Sequence, residues 1–300
     1  MSGPATSPEY LPIWVADGDG HFAREGLRVT VRTTRSEVGA AEALAQSQVD
    51  LAATSLEAML RFGTRDNQQP RLLLGLTAAP PVALVVNATH AGRVRSVGDL
   101  TGLRVALAGP GVAEHSWLNI VLAKNRLPLT QVNVISVGAG GLERALETGD
   151  AQAAAVHEPL ATRLVAERRA TIIADLRTPG AAERALGAPT VSAAVFVRAD
   201  RRPGERELAA FTRAVLAAQE RLASGGASGL AGKLGRSVVA SPEEFAARVD
   251  QARGLYLPET RVSPERLDAT VDLLRDQVPL PSRARVQVLP TGRVRTTPGR

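Results

Sequence analysis

The sequence of 300 residues contains no cysteine. This absence excludes disulfides, thiolate metal sites, cysteine nucleophiles and lipidation of an N-terminal cysteine. Aromatic residues make up only 3% of the chain, too few for the base-stacking platforms of single-stranded nucleic-acid binding. The chain also lacks an apolar run of about 18 residues, so we expect no transmembrane helix.

Motifs of the common catalytic and cofactor sites are missing as well. The sequence has no nucleophile elbow, no Walker loop and no dinucleotide fingerprint. The four histidines do not have the spacing of metal ligands. We therefore expect no catalytic residue, no metal and no cofactor.

The net charge of +6 is concentrated at one end of the chain. Residues 281–300 contain five arginines and no acidic residue, which leaves +1 for the remainder. Because the charge is so localised, we expect no nucleic-acid partner. Residues 281–300 also show little periodicity, which predicts a basic, disordered tail.

A short pattern occurs twice, and it predicts the architecture. Residues 39–44 (GAAEAL) precede residues 47–54 (SQVDLAAT), and residues 141–146 (GLERAL) precede residues 149–156 (GDAQAAAV), an offset of 102 positions. Each copy has the periodicity of an amphipathic helix, a polar turn and a short buried strand. The repeat predicts two similar α/β lobes.

Strands alternate with helices along most of the chain, which is typical of α/β proteins with mostly parallel sheets. We interpret two long β-forming runs, residues 82–86 and 191–197, as the two crossings between the lobes. Lobe I then comprises residues 1–86 plus 196–280, and lobe II comprises residues 87–195.

Other segments have clear periodicity. Residues 27–32 alternate apolar and polar side chains, which predicts a half-buried strand. Residues 205–224, 242–256 and 264–277 have helical spacing, so the last third of the body is predicted to be mainly helical.

Polar residues follow the strand in each copy of the repeat. Thr54 and Ser55 end the first copy, and His157 and Glu158 end the second. Ligands of open α/β sheets bind beyond the carboxyl ends of strands, so we expect these pairs to face each other across a ligand cleft. The alternatives are helix capping by the hydroxyls and a structural ion pair of the carboxylate.

A glycine-rich turn joins a predicted strand to a predicted helix. Gly109 and Gly111 let the backbone approach a ligand, and the N–H groups at the helix start favour an anionic head group. The alternative is an ordinary turn. His115, in the first turns of that helix, is a further candidate ligand contact.

Four other residues are candidate cleft contacts. Ser36 precedes a helix, where it serves as a cap or as a ligand contact. Ala79 and Pro80 follow a buried strand and are predicted at the cleft rim. Trp14 forms either a wall of the pocket or part of the core.

Several motifs carry a resemblance to a known family. In chain order they are residues 10–16 (YLPIWVA), 20–27 (GHFAREGL), 49–54 (VDLAAT), 97–106 (VGDLTGLRVA), 109–111 (GPG) and 157–159 (HEP). Together they resemble the substrate-binding proteins of ABC transporters for nitrate, alkanesulfonate and taurine, which have the type II periplasmic-binding-protein fold. The match runs from Tyr10 to Asp200, whereas the helical last third is similar in character only. The chain departs from the family where His157 stands, since an aromatic residue is common there.

The resemblance implies a monomeric receptor that closes two lobes over a small organic or anionic ligand and presents it to a membrane permease. It also implies a periplasmic location. The residues before Tyr10 lack the character of a signal peptide, and a cytoplasmic location follows if Met1 is the genuine start. The alternative function is a cytosolic enzyme, or a ligand sensor, that acts on a small aromatic or carboxylated compound with the same fold.

Overall fold

The computed structural model describes residues 1–5, 7–34, 36–63, 69–109, 113–239, 241–257 and 261–290. The elements up to the middle of the chain are β1 (Ser2–Pro4), α1 (Leu11–Gly18), α2 (His21–Arg24), β2 (Arg32–Thr34), α3 (Glu37–Ala45), β3 (Leu51–Ser55), α4 (Leu56–Phe62), β4 (Pro70–Gly75), β5 (Val82–Asn87), β6 (Arg104–Leu107), α5 (Ala113–Lys124) and β7 (Asn133–Ser136). The later elements are α6 (Leu142–Thr148), β8 (Ala153–His157), α7 (Leu160–Ala166), β9 (Ala170–Asp175), α8 (Pro179–Leu186), β10 (Ala193–Arg198), α9 (Glu205–Gly225), α10 (Arg236–Val239), α11 (Pro242–Ala252), α12 (Pro264–Gln277) and β11 (Gln287–Val288).

The strands form two sheets, each flanked by helices. The first has the order β11-β4-β10-β3-β1-β2, and the second has the order β7-β6-β8-β5-β9. Each sheet contains one antiparallel strand, β10 in the first and β5 in the second. Apart from β11, the two sheets have the same topology. Strands β4, β10, β3, β1 and β2 of the first sheet correspond in order to β9, β5, β8, β6 and β7 of the second. We call the first sheet with its helices the first lobe and the second sheet with its helices the second lobe, and this two-lobed, mostly parallel α/β fold confirms the predicted class.

The repeated sequence pattern forms equivalent elements in the two lobes. The first copy forms α3 and β3, and the second forms α6 and β8. The pairing is also equivalent, because Ser55 at the end of β3 lies opposite Ala193, and His157 at the end of β8 lies opposite Val82. The duplicated strands therefore end at corresponding places beside the antiparallel strand of each sheet.

The two long β-forming runs are not the crossings themselves. Strand β5 lies wholly within the second sheet and β10 within the first, so the predicted boundaries after residues 86 and 195 fall inside strands. Each run is almost wholly apolar because both faces of its strand are buried. The chain passes between the sheets in residues 76–81 and 187–192, where the Thr190 hydroxyl donates to the Ala78 carbonyl at 2.7 Å.

The prediction of a disordered tail is wrong for residues 281–290. Strand β11 pairs in parallel with β4, and the Leu289 amide donates to the Leu72 carbonyl at 2.8 Å. Ala284, Val286 and Leu289 are buried, so this segment packs as the edge of the first sheet. Burial of these three apolar side chains stabilises the segment against the first sheet, although arginines lie between them. Residues 291–300 lie outside the described residues.

Serine and threonine caps set where three of the later helices begin. The hydroxyls of Thr178, Ser241 and Ser263 accept backbone N–H groups in the first turns of α8, α11 and α12. Each of these helices also has a proline in its first turn, where the missing N–H costs no helical hydrogen bond. Local sequence thus fixes these starts, and α12 has the predicted bounds.

The other periodic segments follow the predictions with two differences. Helix α9 covers the predicted segment, whereas α11 ends at Ala252 because Gly254 adopts a left-handed conformation with φ of 82°. The strand predicted over residues 27–32 begins only at Arg32, where pairing with β1 starts. Within the described residues, no helix is long and apolar enough to cross a membrane.

Candidate functional site

The two lobes meet at the ends of the duplicated strands, and we call this junction the cleft. Ser55 ends β3, His157 ends β8, and helices α4 and α5 begin beside them. The lobes are in contact here, because the Ser116 hydroxyl on α5 donates to Oε1 of Glu57 on α4 at 2.8 Å. The cleft therefore brings together residues more than 50 positions apart in the chain.

Glu9 lies at the first-lobe side of the cleft and is only 2% exposed. Its Oε1 accepts hydrogen bonds from the hydroxyls of Thr77 at 3.0 Å and Ser192 at 3.4 Å, and its Oε2 accepts from Ser7 at 3.2 Å. Burial, with a further contribution from the charge of Glu37, raises the pKa of Glu9 to about 8. Glu9 is therefore mostly protonated at neutral pH.

Glu37, the first residue of α3, lies near Glu9. The Tyr10 hydroxyl donates to Glu37 Oε1 at 2.5 Å, and the Thr54 hydroxyl donates to the Glu37 carbonyl at 2.7 Å. Burial raises the pKa of Glu37, and the charge of Glu114 adds to this effect, whereas hydrogen bonds from Tyr10 and Ser55 oppose it. Glu37 and Glu114 repel each other although they belong to different lobes.

Glu114 and His157 form an ion pair on the second-lobe side. His157 Nε2 lies 2.6 Å from Glu114 Oε1, with 36% of the histidine side chain exposed. Burial disfavours the imidazolium, but the hydrogen bond and charge of Glu114 outweigh it and raise the pKa of His157. Burial likewise opposes ionisation of Glu114, whose pKa is nevertheless lowered by His157. Each partner therefore favours the charged form of the other.

Glu57 connects the lobes and is only 6% exposed. Its Oε1 accepts from Ser116 and from Arg61 Nη1, the latter at 3.0 Å. Its Oε2 is buried and has no hydrogen-bond partner among the described residues. Burial raises the pKa of Glu57, while the bonds from Ser116 and Arg61 oppose the shift.

The structure brings Thr54, Ser55 and His157 together with these carboxylates. Ser55 has the capping role considered above, because its hydroxyl accepts from the Ala58 amide at 3.2 Å, and it also bonds Glu37. Ser36 caps α3 by accepting from the Gly39 amide at 3.4 Å, and its side chain is exposed. Capping thus accounts for both serines, and only Ser55 also reaches the cluster.

Glu158 forms the structural ion pair that was the alternative to a ligand contact. Its Oε1 accepts from Arg177 Nη1 and from the Thr162 hydroxyl, each at 2.8 Å, and its Oε2 accepts from the Thr162 amide at 3.0 Å. Arg177 also bonds Asp175. The Glu158 carboxylate, which is buried, is therefore fully engaged within the second lobe.

The remaining predicted residues lie in three places. Trp14 is a core residue of the first lobe, and its Nε1 donates to the Pro4 carbonyl at 2.8 Å. Ala79 and Pro80 are buried in a segment that connects the lobes. Gly109 follows β6 and His115 lies on α5, and both are half-buried. Gly111 lies outside the described residues.

Sequence reasoning missed most of the acidic residues. Glu37, Glu57 and Glu114 occupy the first turns of helices, where an acidic side chain is common because it complements the helix dipole. Glu9 lies beside the Tyr10 motif in a short 3-10 helix. The sequence feature that could have identified these glutamates is their position, because each lies in the first helical turn after a strand that ends at the cleft. The described residues contain no group of three or more potential ligands that could hold a metal ion.

Two lobes with one shared strand order and a cleft at their strand ends define the periplasmic-binding-protein fold. Solved structures with this fold are similar over most of the chain. The alkanesulfonate-binding protein of Xanthomonas axonopodis pv. citri, bound to MOPS, is 18% identical with a TM-score of 0.68, covering 94% of each chain. The periplasmic aliphatic sulphonate-binding protein of Escherichia coli is 16% identical with a TM-score of 0.68, covering 92% of this chain and 89% of its own.

The nitrate-binding protein of Synechocystis PCC 6803 is a further neighbour. It is 16% identical with a TM-score of 0.57, covering 87% of this chain and 71% of its own. Residues 7–223 match the family described as NMT1/THI5 like, and the chain belongs to that family. No curated protein matches the chain by sequence. The family and the neighbours confirm the resemblance drawn from the motifs.

Proposed function

We propose that the protein is the solute-binding component of an ABC importer, which closes two lobes over a small organic or anionic ligand. The observation that carries this proposal is that both copies of the repeat end at one junction, where Ser55 and His157 both interact with Glu37. The neighbours support it, since their names describe sulfonate- and nitrate-binding proteins and two are called periplasmic. A periplasmic location, a permease partner and a monomeric state belong to the same proposal.

The proposed mechanism is closure about the two connecting segments, residues 76–81 and 187–192. These segments are joined by the hydrogen bond from Thr190 to Ala78 and by one from the Ser192 amide to the Thr77 carbonyl at 2.8 Å. A ligand that contacts both lobes stabilises the closed state by its differential affinity, with no covalent step. The protein is therefore proposed to bind its ligand without turning it over.

The proposed ligand contacts come from both lobes. Ser55 and Glu37 represent the first lobe, while His157, Glu114 and Gly109 represent the second. These groups lie at the carboxyl ends of strands or in the helix turns that follow, which is where open α/β sheets bind ligands. Ligand contacts from residue 111 and His115 on the second-lobe side remain predictions.

The test is a thermal-shift screen of small solutes, including sulfonates, nitrate, carboxylates, amines and pyrimidines. A ligand at a hundredfold excess over its dissociation constant should stabilise the folded state by about 2.7 kcal/mol through mass action. Ser55→Ala should weaken binding by about 1–3 kcal/mol, because it leaves a buried polar partner unsatisfied. His157→Ala should also change the affinity, because it removes the cation that pairs with Glu114. Turnover of any hit would favour an enzyme, and a folded sample without any hit would contradict the proposal.

A further inference from the structure

Three helices that begin at the cleft each carry a glutamate in their first turn. Glu37 is the first residue of α3, and Glu57 and Glu114 lie in the first turns of α4 and α5. The N-terminus of a helix has a partial positive charge that attracts anions. In these helices the protein's own carboxylate already compensates that charge. An anionic ligand would therefore meet carboxylates where other proteins present free N–H groups.

The charges within the cleft are predominantly acidic. Glu9, Glu37, Glu57 and Glu114 converge there, and among the described residues two cations oppose them, His157 through Glu114 and Arg61 through Glu57. The interactions extend across the lobes, since the charges of both Glu9 and Glu37 favour the imidazolium of His157. With Glu9 protonated, the carboxylates of Glu37, Glu57 and Glu114 still outnumber the two cations, so the cleft is net negative whenever these three carboxylates are ionised.

One buried acceptor in this cleft has no protein partner. Oε2 of Glu57 makes no hydrogen bond within the described part of the chain, although its residue is only 6% exposed. The other oxygen of the same carboxylate is saturated by Ser116 and Arg61. A buried carboxylate oxygen without a donor is costly, and an N–H group from a ligand would remove that cost.

We propose that the cleft selects an organic cation carrying an ammonium, amidinium or guanidinium group, with Glu37 and Glu114 as counter-charges and Glu57 Oε2 as a hydrogen-bond acceptor. This inference rests on the proposed function and names its ligand class. It differs from what the neighbours' names suggest, because sulfonate and nitrate are anions. A cationic donor group fits acceptors that carry negative charge, whereas a sulfonate would be repelled by them.

The same arrangement couples ligand charge to closure. Glu37 belongs to the first lobe and Glu114 to the second, and closing the lobes brings their like charges into a site of low dielectric constant. A cation between them converts this repulsion into attraction. The ligand thus binds the closed state more tightly than the open state, which is the condition for ligand-driven closure.

Isosteric probes of opposite charge test the inference most cleanly. Amidinium and carboxylate groups have the same planar shape, so acetamidinium is compared with acetate and benzamidinium with benzoate. Butylammonium is compared with butanesulfonate, and taurine serves as a zwitterion. Calorimetry at pH 7 and fixed ionic strength should show at least one cation binding about tenfold or more tightly than its anionic partner.

Neutral variants locate the interaction. Glu37→Gln and Glu114→Gln should each weaken binding of the cation by about tenfold or more, whereas Glu42→Gln should leave it unchanged. Glu42 is the matched control because it lies on the same helix, α3, with its side chain exposed. Melting of each variant without ligand confirms that it is folded, and Glu57→Gln provides a second test if Glu114→Gln does not fold.

The outcomes separate this inference from the receptor function. An anion that binds more tightly than its cationic isostere overturns the inference and leaves the receptor function standing. The same conclusion follows if no cation binds but the wider solute screen finds a ligand. Cation binding that is unaffected by Glu37→Gln and Glu57→Gln also overturns it. Failure of every probe and of the wider screen contradicts both proposals.

Discussion

The Ser116 hydroxyl donates a hydrogen bond of 2.8 Å to Oε1 of Glu57, and this bond joins α5 of the second lobe to α4 of the first. Both residues are buried. A hydrogen bond that exists only when the lobes meet contributes to the closed state and not to the open one. In the proposed closure, the pair would therefore shift the equilibrium towards the closed state.

Ser116→Ala should weaken ligand affinity by about 1 kcal/mol, or roughly fivefold, because the closed state loses one hydrogen bond between the lobes. Calorimetry with any ligand found in the solute screen measures the change. Ser224→Ala is the matched control, since its hydroxyl donates to the Glu220 carbonyl on the exposed surface of α9. Equal affinities for the two variants would show that the Ser116 bond does not contribute to closure.

Glu9 makes stability depend on pH. Burial raises its pKa in the folded protein from an ordinary value of 4.5 to about 8, so the folded state retains a proton that the unfolded chain releases between these values. The contribution of this proton is fully present below about pH 4.5 and is lost as the pH rises towards 8. Stability should therefore fall across this interval.

Glu9→Gln should flatten this dependence, because the amide cannot lose a proton. Urea unfolding at pH 5, 6.5 and 8 measures the unfolding free energy of both proteins. The stability of the variant relative to the wild type should increase as the pH rises. The groups that interact with Glu9, namely Glu37 and His157, stay in both proteins, so the difference isolates Glu9. A difference that is constant across the three pH values would show that Glu9 is ionised throughout.

The edge strand β11 should matter for stability. Leu289→Ala removes a side chain that is only 5% exposed beside the first sheet, and it should cost about 2–5 kcal/mol of unfolding free energy. Leu129→Ala, at a leucine that is 37% exposed, is the control and should change stability by no more than about 0.5 kcal/mol. The midpoint of urea unfolding gives both values. Similar small changes in the two variants would mean that the segment does not pack on the sheet.

Arg177 should be a structural residue. Arg177→Ala leaves the buried carboxylate of Glu158 without its cation, which should cost about 3 kcal/mol of stability. Ligand affinity should change little, because Glu158 is engaged within its own lobe. Arg206→Ala, at an exposed arginine on α9, is the control for stability. If Arg177→Ala instead abolished binding while the protein stayed folded, Glu158 would have to be placed in the ligand site.

The sequence was sufficient for the architecture because the repeat and the hydrophobic periodicity record local structure directly. That pattern predicts α3 with β3 and α6 with β8. It also predicts that Ser55 and His157 lie at the ends of these two strands. The lobe boundaries were displaced because strands β5 and β10 have the same composition as a crossing would have. Which sheet a strand joins depends on pairing partners that are distant in the chain.

The acidic character of the cleft could not be predicted in the same way. Glu37 and Glu114 are ordinary first-turn residues when each helix is read alone, and their repulsion appears only when the lobes are brought together. Trp14 was a candidate for the pocket but lies in the core. The sequence could not decide between the two places, because an aromatic residue occurs in the same sequence pattern in both. Strand β11 was missed because two paired residues give no periodicity.

The central claim, that a ligand closes the two lobes, is tested most directly by a distance measurement across them. The absence of native cysteine allows two to be introduced for spin labels, at Glu42 on α3 and Arg144 on α6, which are exposed equivalents in the repeat. Saturating ligand should move the distance distribution to a single, narrower population, and Glu37→Gln should weaken the response. An identical distribution with and without a ligand that calorimetry shows to be bound would contradict the account.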